Sequence, residues 1–193
     1  LLIFDEIPSA LGRTGKMFVC EHFDVEPDML VIGKGLGGGV FPMAALITNE
    51  NLDIVEDKAL GHYTHEKSSV GCAAALATID CLIEDGLLNN AVTLGKSGLE
   101  QLEALKLKHP IIHEVRGLGL FYGIDLKLNN QPASDQADAI LYHSLSNGLS
   151  YKVGGGSILT LCPPLTINND ELTQAFSIIC LLYTSDAADD HHR

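Results

Sequence analysis

Two residues with chemically useful side chains each follow a short apolar run in the first part of the chain. Asp5 closes the run at residues 1–4, and Lys34 follows the run at residues 29–32. Uninterrupted apolar runs of this length are typical of strands buried on both faces. The carboxyl ends of parallel strands meet at one edge of a sheet, where open α/β folds bind ligands. We therefore expect Asp5 and Lys34 to lie at the same edge of a mostly parallel sheet.

A carboxylate and an amine at one sheet edge are the pair that pyridoxal 5'-phosphate (PLP) requires. The amine forms an imine (a Schiff base) with the cofactor, and the carboxylate keeps the ring nitrogen protonated so that the ring accepts electrons. Lys34 also lies in the glycine-rich stretch at residues 33–39, where the backbone can bend sharply and leave room for a bulky ligand. A strand-end aspartate and a loop lysine also occur in proteins without a cofactor, so spacing alone leaves both interpretations open.

Composition and charge exclude several other classes of protein. Of the 193 residues, 46% are hydrophobic and 19% charged, which is typical of a chain that forms a packed core. Acidic residues outnumber basic ones, 25 to 12, and no basic stripe for nucleic acid is present. No apolar run approaches the roughly 20 residues that cross a bilayer, and no basic region precedes the first apolar run. We therefore expect neither a membrane anchor nor a signal peptide.

Cysteine and histidine spacing argues against a metal site. The five cysteines are scattered and form no Cys-x-x-Cys pair, which fits a reducing cytoplasm. The cluster His-Tyr-Thr-His-Glu at residues 62–66 lacks the His-Glu-x-x-His order and has no third ligand nearby. We expect no bound metal.

The predicted elements change character along the chain. Residues 70–85 and 90–108 have helical spacing, with Gly86 as the expected cap of the first of these helices. Beyond them, three strands are predicted at residues 111–115, 118–126 and 158–162, together with a helix at 134–147. This pattern indicates an α+β module that follows the α/β part, with a boundary near residue 87.

Several motifs resemble those of the class III PLP-dependent aminotransferases, and they occur in the order found in that family. The resemblance runs from Leu1 to about Phe176 and rests on Phe-Asp-Glu-Ile (4–7), Leu-Gly-Arg-Thr-Gly-Lys-Met-Phe (11–18), Gly-Lys-Gly-Leu-Gly-Gly-Gly (33–39), Phe-Pro-Met-Ala-Ala (41–45), Cys-Ala-Ala-Ala-Leu-Ala (72–77), Val-Arg-Gly-Leu-Gly-Leu (115–120) and Pro-Pro-Leu-Thr-Ile (163–167). It implies the C-terminal part of a fold type I transferase. Residues 1–87 would then belong to the parallel-sheet large domain that binds PLP, and residues 88–179 to the small α+β domain.

The resemblance also implies a role for individual residues. Lys34 carries PLP as a Schiff base, Asp5 pairs with the protonated ring nitrogen, and Glu6 supports the site. Thr64 matches the family threonine that reaches the cofactor phosphate from the neighbouring subunit, which implies a homodimer with a shared active site. A hydroxyl donor at that place suits a phosphate; an ordinary loop threonine is the alternative.

Two departures from the family pattern concern the kind of substrate that the protein would bind. After Thr64 the family has an aromatic residue and a Gly-Gly-Asn-Pro turn, whereas this chain has His-Glu-Lys-Ser-Ser. His65 and Lys67 are therefore candidates for holding an anionic group of the substrate, with plain surface charge as the alternative. Thr160 stands where many relatives have an arginine that binds the substrate α-carboxylate, and threonine cannot replace a guanidinium. Arg116 is expected to be a structural anchor and not a substrate clamp.

The resemblance predicts a cytoplasmic transaminase that moves an amino group from an amine donor to a keto-acid acceptor. One alternative is an ammonia-lyase of the same family acting on a hydroxylated aminophosphonate. Another is a fragment with no function of its own, because the family's phosphate-binding loop and ring-stacking aromatic residue would precede Leu1. Residues 180–193 resemble the translation of a sequencing adapter and are expected to be an artefact.

Overall fold

A computed structural model describes residues 1–52, 54, 55, 58, 66 and 68–185, with side chains described as far as Cys180. The chain forms two compact units, Leu1–Leu88 and Asn89–Arg193. The division between them falls next to the boundary expected near residue 87.

Three short strands form the sheet of the first unit: β1 (Ile3–Asp5), β2 (Met29–Ile32) and β3 (Ala45–Thr48), in the order β1-β2-β3. β1 and β2 are parallel, as predicted, but β3 is antiparallel to β2. The sheet is therefore mixed. A parallel return needs a long crossover, usually a helix, whereas residues 33–44 contain only a 3₁₀ turn at Lys34–Gly37.

Burial in β1 differs from the prediction. Leu30 and Ile32 of the central strand β2 are buried, but Ile3 of β1 is 55% exposed. Within the described part of the chain, β1 is an edge strand of this sheet and is paired with β2 alone. The apolar run thus predicted the strand correctly, while burial of β1 on both faces is not seen among the described residues.

Helix α1 (Ser69–Glu84) lies within one residue of its predicted bounds. Ser68 caps its start, since the hydroxyl accepts a hydrogen bond from Gly71 N at 3.3 Å. Gly86 follows its end with a φ of 67°, a left-handed conformation that glycine adopts without strain. α1 packs against the turn Lys34–Gly37, so it supports the segment that carries the candidate lysine.

The second unit is an α+β module, as predicted. Its sheet has the order β4-β5-β8-β7 with antiparallel pairing throughout. The short strand β6 also pairs with the C-terminal end of β5. Two short strands, β6 and β7, were not predicted. The elements in chain order are α2 (Leu87–Lys108), β4 (Ile112–Gly117), β5 (Tyr122–Leu128), β6 (Gln131–Pro132), α3 (Ser134–Ser146), β7 (Lys152–Gly154), β8 (Ile158–Leu161) and α4 (Asn169–Ser185).

The core of the second unit lies on one face of this sheet. Alternate residues of β5, namely Tyr122, Ile124 and Leu126, are buried against apolar side chains from α2, α3 and α4. The residues between them, such as Gly123, lie on the opposite face because successive side chains of a strand alternate. That second face carries most of the polar residues of the sheet.

A buried tyrosine connects α2 to the sheet. The Tyr122 hydroxyl donates to the Leu94 carbonyl oxygen at 3.1 Å, and its ring meets Phe176 edge to face at 5.8 Å between centroids. Two glycines of α2 make this approach possible. A side-chain carbon on Gly98 would collide with the Tyr122 hydroxyl, and one on Gly95 would lie 2.6 Å from backbone atoms of Gly119.

Neither a membrane span nor a metal cluster is found among the residues that the structure describes. No helix there is long and apolar enough to cross a bilayer. No three histidine, cysteine, aspartate or glutamate side chains within the same part come together as metal ligands.

Candidate active site

The parallel register of β1 and β2 brings Asp5 and Lys34 to the same edge of the first sheet. Asp5 is paired with Val31, and β2 ends one residue later at Ile32. Lys34 therefore follows the carboxyl end of β2 directly beside the carboxyl end of β1. This is the juxtaposition predicted from the two apolar runs.

Lys34 has an unusual backbone conformation. Its φ is 46°, in the left-handed region that non-glycine residues rarely adopt. Hydrogen bonds on either side fix the turn: Leu36 N donates to Gly33 O at 3.1 Å, and Gly38 N donates to Gly35 O at 2.9 Å. Backbone conformations of this kind cost of order 1–3 kcal/mol and cluster at functional sites. The sheet edge therefore presents Lys34 in one defined position.

The Lys34 side chain is exposed. It makes no hydrogen bond or ion pair with any residue that the structure describes. Lys16 differs, because its ammonium donates to the Glu21 carbonyl oxygen at 2.7 Å. Of these two lysines in the first unit, Lys34 has the amine that is available for covalent chemistry.

Asp5 presents a partly anchored carboxylate. Its Oδ1 accepts a hydrogen bond from Ile7 N at 3.1 Å, while Oδ2 accepts none from the described residues. The anchor limits rotation of the carboxylate, and the second oxygen stays available to a cationic N–H. These two features suit a group that has to hold a protonated ring nitrogen.

Glu6, next to Asp5, is buried with 1% of its surface exposed. Its two carboxylate oxygens accept hydrogen bonds from Val19 N at 2.6 Å and Cys20 N at 2.8 Å. Its backbone N–H donates to the Val31 carbonyl oxygen at 2.9 Å. Glu6 thus ties the 3₁₀ helix Val19–His22 to the end of β1, a contact that no local sequence signal reveals.

Two further side chains beneath this edge were not predicted. Cys20 is buried, and burial, followed by the adjacent Glu6 carboxylate, raises the pKa of its thiol. Thr14 is also buried, and its hydroxyl lies 3.1 Å from His22 Nε2. The Thr14–His22 contact joins two parts of residues 12–22, and the hydrogen bond from Cys20 N to Glu6 holds this segment against the end of β1.

The residues present fit PLP at this edge. Asp5 offers a carboxylate for the ring nitrogen, and Lys34 offers an amine without a partner among the described residues, on the adjoining strand end. The other predicted site residues, Thr64, His65 and Lys67, lie outside the described part of the chain.

The second unit contains a separate cavity of about 530 Å³ on the polar face of its sheet. Arg116 and Thr160, which the sequence singled out for different reasons, both line it. Arg116 makes a 3.1 Å ion pair with Glu114, and both side chains are about half exposed, at 49% and 51%. An ion pair at this exposure contributes little to stability.

Comparison with curated proteins gives two kinds of relative. The chain is 44% identical over 181 residues to (R)-1-hydroxy-2-aminoethylphosphonate ammonia-lyase of Vibrio splendidus, covering 92% of this chain and 38% of that protein. It is 37% identical to ornithine aminotransferase 1 of Staphylococcus saprophyticus, covering 93% of this chain and 43% of the relative. The chain therefore spans less than half the length of either relative.

Aminotransferases are also found among the solved structures that this chain resembles. Acetylornithine aminotransferase from Elizabethkingia anophelis matches with a TM-score of 0.86 and 35% identity, over 94% of this chain and 47% of its own. Ornithine aminotransferase from Toxoplasma gondii, a structure with partial occupancy of PLP at the active site, matches with a TM-score of 0.84 and 28% identity. The match covers 94% of this chain and 42% of that one. The α/β architecture is thus that of the fold type I aminotransferases. The family model for Aminotransferase class-III matches residues 1–182, and the chain belongs to this family.

Proposed function

We propose that the protein to which this chain belongs is a PLP-dependent aminotransferase that moves an amino group from an amine or amino acid to a keto acid. One observation carries the proposal. The parallel register of β1 and β2 brings Asp5 beside Lys34, and Lys34 has a strained backbone and a side chain without a partner among the described residues. Membership of the class III family supports the same chemistry.

Each residue has a distinct task in this proposal. Lys34 would hold PLP covalently, and Asp5 would keep its ring nitrogen protonated, while Thr64 would donate to its phosphate from the partner subunit. Bound PLP supplies an electron sink for the carbon that bears the substrate amine. Lys34 Nζ, once released, acts as the base that removes the proton from that carbon and as the acid that returns a proton.

Elimination of ammonia is a second candidate function, and one comparison favours it. The Vibrio splendidus ammonia-lyase is 44% identical to this chain, against 37% for the ornithine aminotransferase from Staphylococcus. Thr160 also fits a substrate without an α-carboxylate, because a threonine hydroxyl cannot bind a carboxylate in the bidentate manner of a guanidinium.

A keto-acid acceptor separates the two functions. The complete gene product, loaded with PLP, is incubated with an amine donor or with a hydroxylated aminophosphonate, each with and without 2-oxoglutarate. Transamination requires the acceptor and gives glutamate, whereas elimination releases free ammonia without it. Lys34→Ala serves as the control that removes both activities. Ammonia release from the aminophosphonate without acceptor, and no glutamate with any donor, would reject the aminotransferase proposal.

We further propose a homodimer that works in the cytoplasm. The role given to Thr64 requires a second subunit, and His65 and Lys67 would then bind an anionic substrate group beside it. None of the five cysteines, all of which the structure describes, is in a disulfide, which suits a reducing compartment. Sedimentation at the working concentration tests the dimer, and an active monomer would contradict it.

A further inference from the structure

A buried leucine packs against the lysine turn, which comprises residues 33–38 and carries Lys34. A side-chain carbon placed on Gly35, the residue after the lysine, would be 3.6 Å from Leu11 Cδ1. Outside the turn, Leu11 is the only described residue with an atom within 4 Å of that position. Leu11 is buried, and so is Leu36 within the turn. The backbone next to the lysine therefore rests on one apolar side chain.

The residue before the lysine has a neighbour in the same segment of the chain. A side-chain carbon placed on Gly33 would be 3.7 Å from Ile7 Cγ1, an ordinary van der Waals distance. Ile7 and Leu11 both belong to residues 6–11, which directly follow Asp5. This segment forms a seat for the lysine turn.

Hydrogen bonds connect the seat to the candidate carboxylate. Ile7 N donates to Asp5 Oδ1 at 3.1 Å. Ala10 N donates to the Glu6 carbonyl oxygen at 2.9 Å, which closes the turn that leads to Leu11. The side chain that contacts the lysine turn is therefore joined to the aspartate by a short, hydrogen-bonded stretch of chain.

Leu11 and Lys34 share an unusual backbone conformation. Their φ values are 60° and 46°, in the left-handed region that residues other than glycine rarely adopt. Such conformations persist only where the surrounding structure holds them in place. Leu11 is held by its N–H, which donates to the Met17 carbonyl oxygen at 2.7 Å. Contact between two strained segments indicates that the position of one depends on the other.

We propose that Leu11 is a positioning residue for Lys34. Its side chain holds the lysine turn against the segment that begins at Asp5, and this contact sets where the amine lies relative to the carboxylate. Leucine suits the task because its rotamers are well defined and it has no polar atom that could compete for either group. That the amine is positioned for PLP rests on the proposed function; the contact itself does not.

Amide hydrogen exchange in the complete protein, after PLP has been removed with hydroxylamine, tests the contact without any turnover. Leu36 N and Gly38 N report on the turn, since they donate to the carbonyl oxygens of Gly33 and Gly35. Leu11→Ala should speed exchange at both amides by about 10-fold or more, because packing that keeps the turn closed is lost. Leu11→Gly relieves the backbone strain but also lacks the side chain, so it should show the same acceleration. Leu11→Met keeps a similar volume and should stay within about threefold of wild type.

Rebinding of PLP to the same samples, followed by absorbance, is the second measurement. Leu11→Ala and Leu11→Gly should weaken PLP affinity by about fivefold or more, since the amine then occupies the productive position for only part of the time. Leu82→Ala is the matched control, because it removes an equally buried leucine of α1 that is not among the nearest neighbours of Gly33 or Gly35. It should make urea unfolding easier but leave turn exchange and PLP affinity within about threefold of wild type.

Wild type supplies a test that does not depend on a folded variant. Leu11 N, Leu36 N and Gly38 N should have protection factors within about tenfold of one another, because the contact makes seat and turn open together. A larger difference between Leu11 and Leu36 would overturn the contact, as would equal exchange in wild type and Leu11→Ala. If exchange responds as expected but wild type does not rebind PLP, the contact stands and the proposed function fails. If wild type and Leu11→Ala rebind PLP equally and turn over a donor equally fast, the positioning role fails and the function stands.

Discussion

Asp5 and Lys34 leave the same edge of a parallel strand pair, because Asp5 is in register with Val31 and Lys34 follows the end of that second strand. Carboxylate and amine therefore come from different parts of the sequence but from neighbouring strand ends of one sheet. Catalytic groups placed on sheet strands are positioned more accurately than groups on long loops.

Lys34 is expected to be the residue that takes the cofactor. Borohydride reduction of the PLP-loaded complete protein, followed by peptide mapping, should find the pyridoxyl group on Lys34, because its amine has no partner among the described residues. Lys16 provides an internal comparison, since its ammonium is bound to the Glu21 carbonyl. A pyridoxyl group on Lys16, or unchanged labelling in Lys34→Ala, would show that the lysine is wrongly assigned.

Asp5→Asn should keep the fold but lose activity by about 100-fold or more, as removal of one electrostatic contact to a reacting group does in other enzymes. The amide oxygen can still accept the hydrogen bond from Ile7 N, so the local turn is retained. It cannot hold a ring nitrogen protonated, because it carries no charge. Steady-state kinetics gives the loss, and circular dichroism confirms folding. Turnover within threefold of wild type would show that Asp5 does not hold the ring nitrogen protonated during the reaction.

Glu6 should matter for stability more than for chemistry. Glu6→Ala leaves the amides of Cys20, which is buried, and of Val19, which is partly buried, without their acceptor. The cost is about 1–3 kcal/mol for a buried unsatisfied group and less for a partly exposed one. Urea unfolding should show the loss, and hydrogen exchange should speed up at these two amides in particular. Glu6→Gln keeps one acceptor oxygen, so its stability should lie between that of wild type and that of Glu6→Ala. Unchanged exchange at both amides would contradict the contact.

The sequence predicted elements better than it predicted contacts. The runs before Asp5 and Lys34 have a strong pattern, and α1 has both a serine cap and a terminal glycine, so their positions could be predicted. The antiparallel direction of β3 could not be predicted, since the pairing direction depends on the path of residues 33–44 in space. The partners of the Glu6 carboxylate, Val19 and Cys20, are likewise set by tertiary folding and have no local signal.

Gly95→Ala tests the close approach of α2 to the loop before β5. The added carbon would lie 2.6 Å from backbone atoms of Gly119, and backbone cannot move aside as the end of a side chain can. Overpacking of this kind costs about 1–3 kcal/mol. Lys96→Ala, on the neighbouring exposed position of the same helix, should stay within about 0.5 kcal/mol. Thermal unfolding of both variants gives the comparison, and equal stability would show that the loop yields easily.

Tyr122 should make the second unit less stable as the pH rises above 10. Burial raises the pKa of Tyr122 from 10.0 to about 12, so the folded protein keeps a proton that the unfolded chain has already lost. The unfolded state then binds fewer protons, and stability falls by about 1.4 kcal/mol per pH unit between these two values. Below pH 10 both states are protonated and nothing is lost.

Tyr122→Phe isolates this contribution. The variant lacks the hydrogen bond to the Leu94 carbonyl, a loss that is the same at every pH below 10, and it has no proton to release. Urea unfolding at pH 9 and pH 11 should show a smaller decrease in stability for the variant than for wild type, by roughly 1–2 kcal/mol. Other tyrosines, lysines and cysteines titrate alike in both proteins, so their effects cancel. An equal decrease in the two proteins would mean that the Tyr122 hydroxyl ionises as readily in the folded protein as in the unfolded chain.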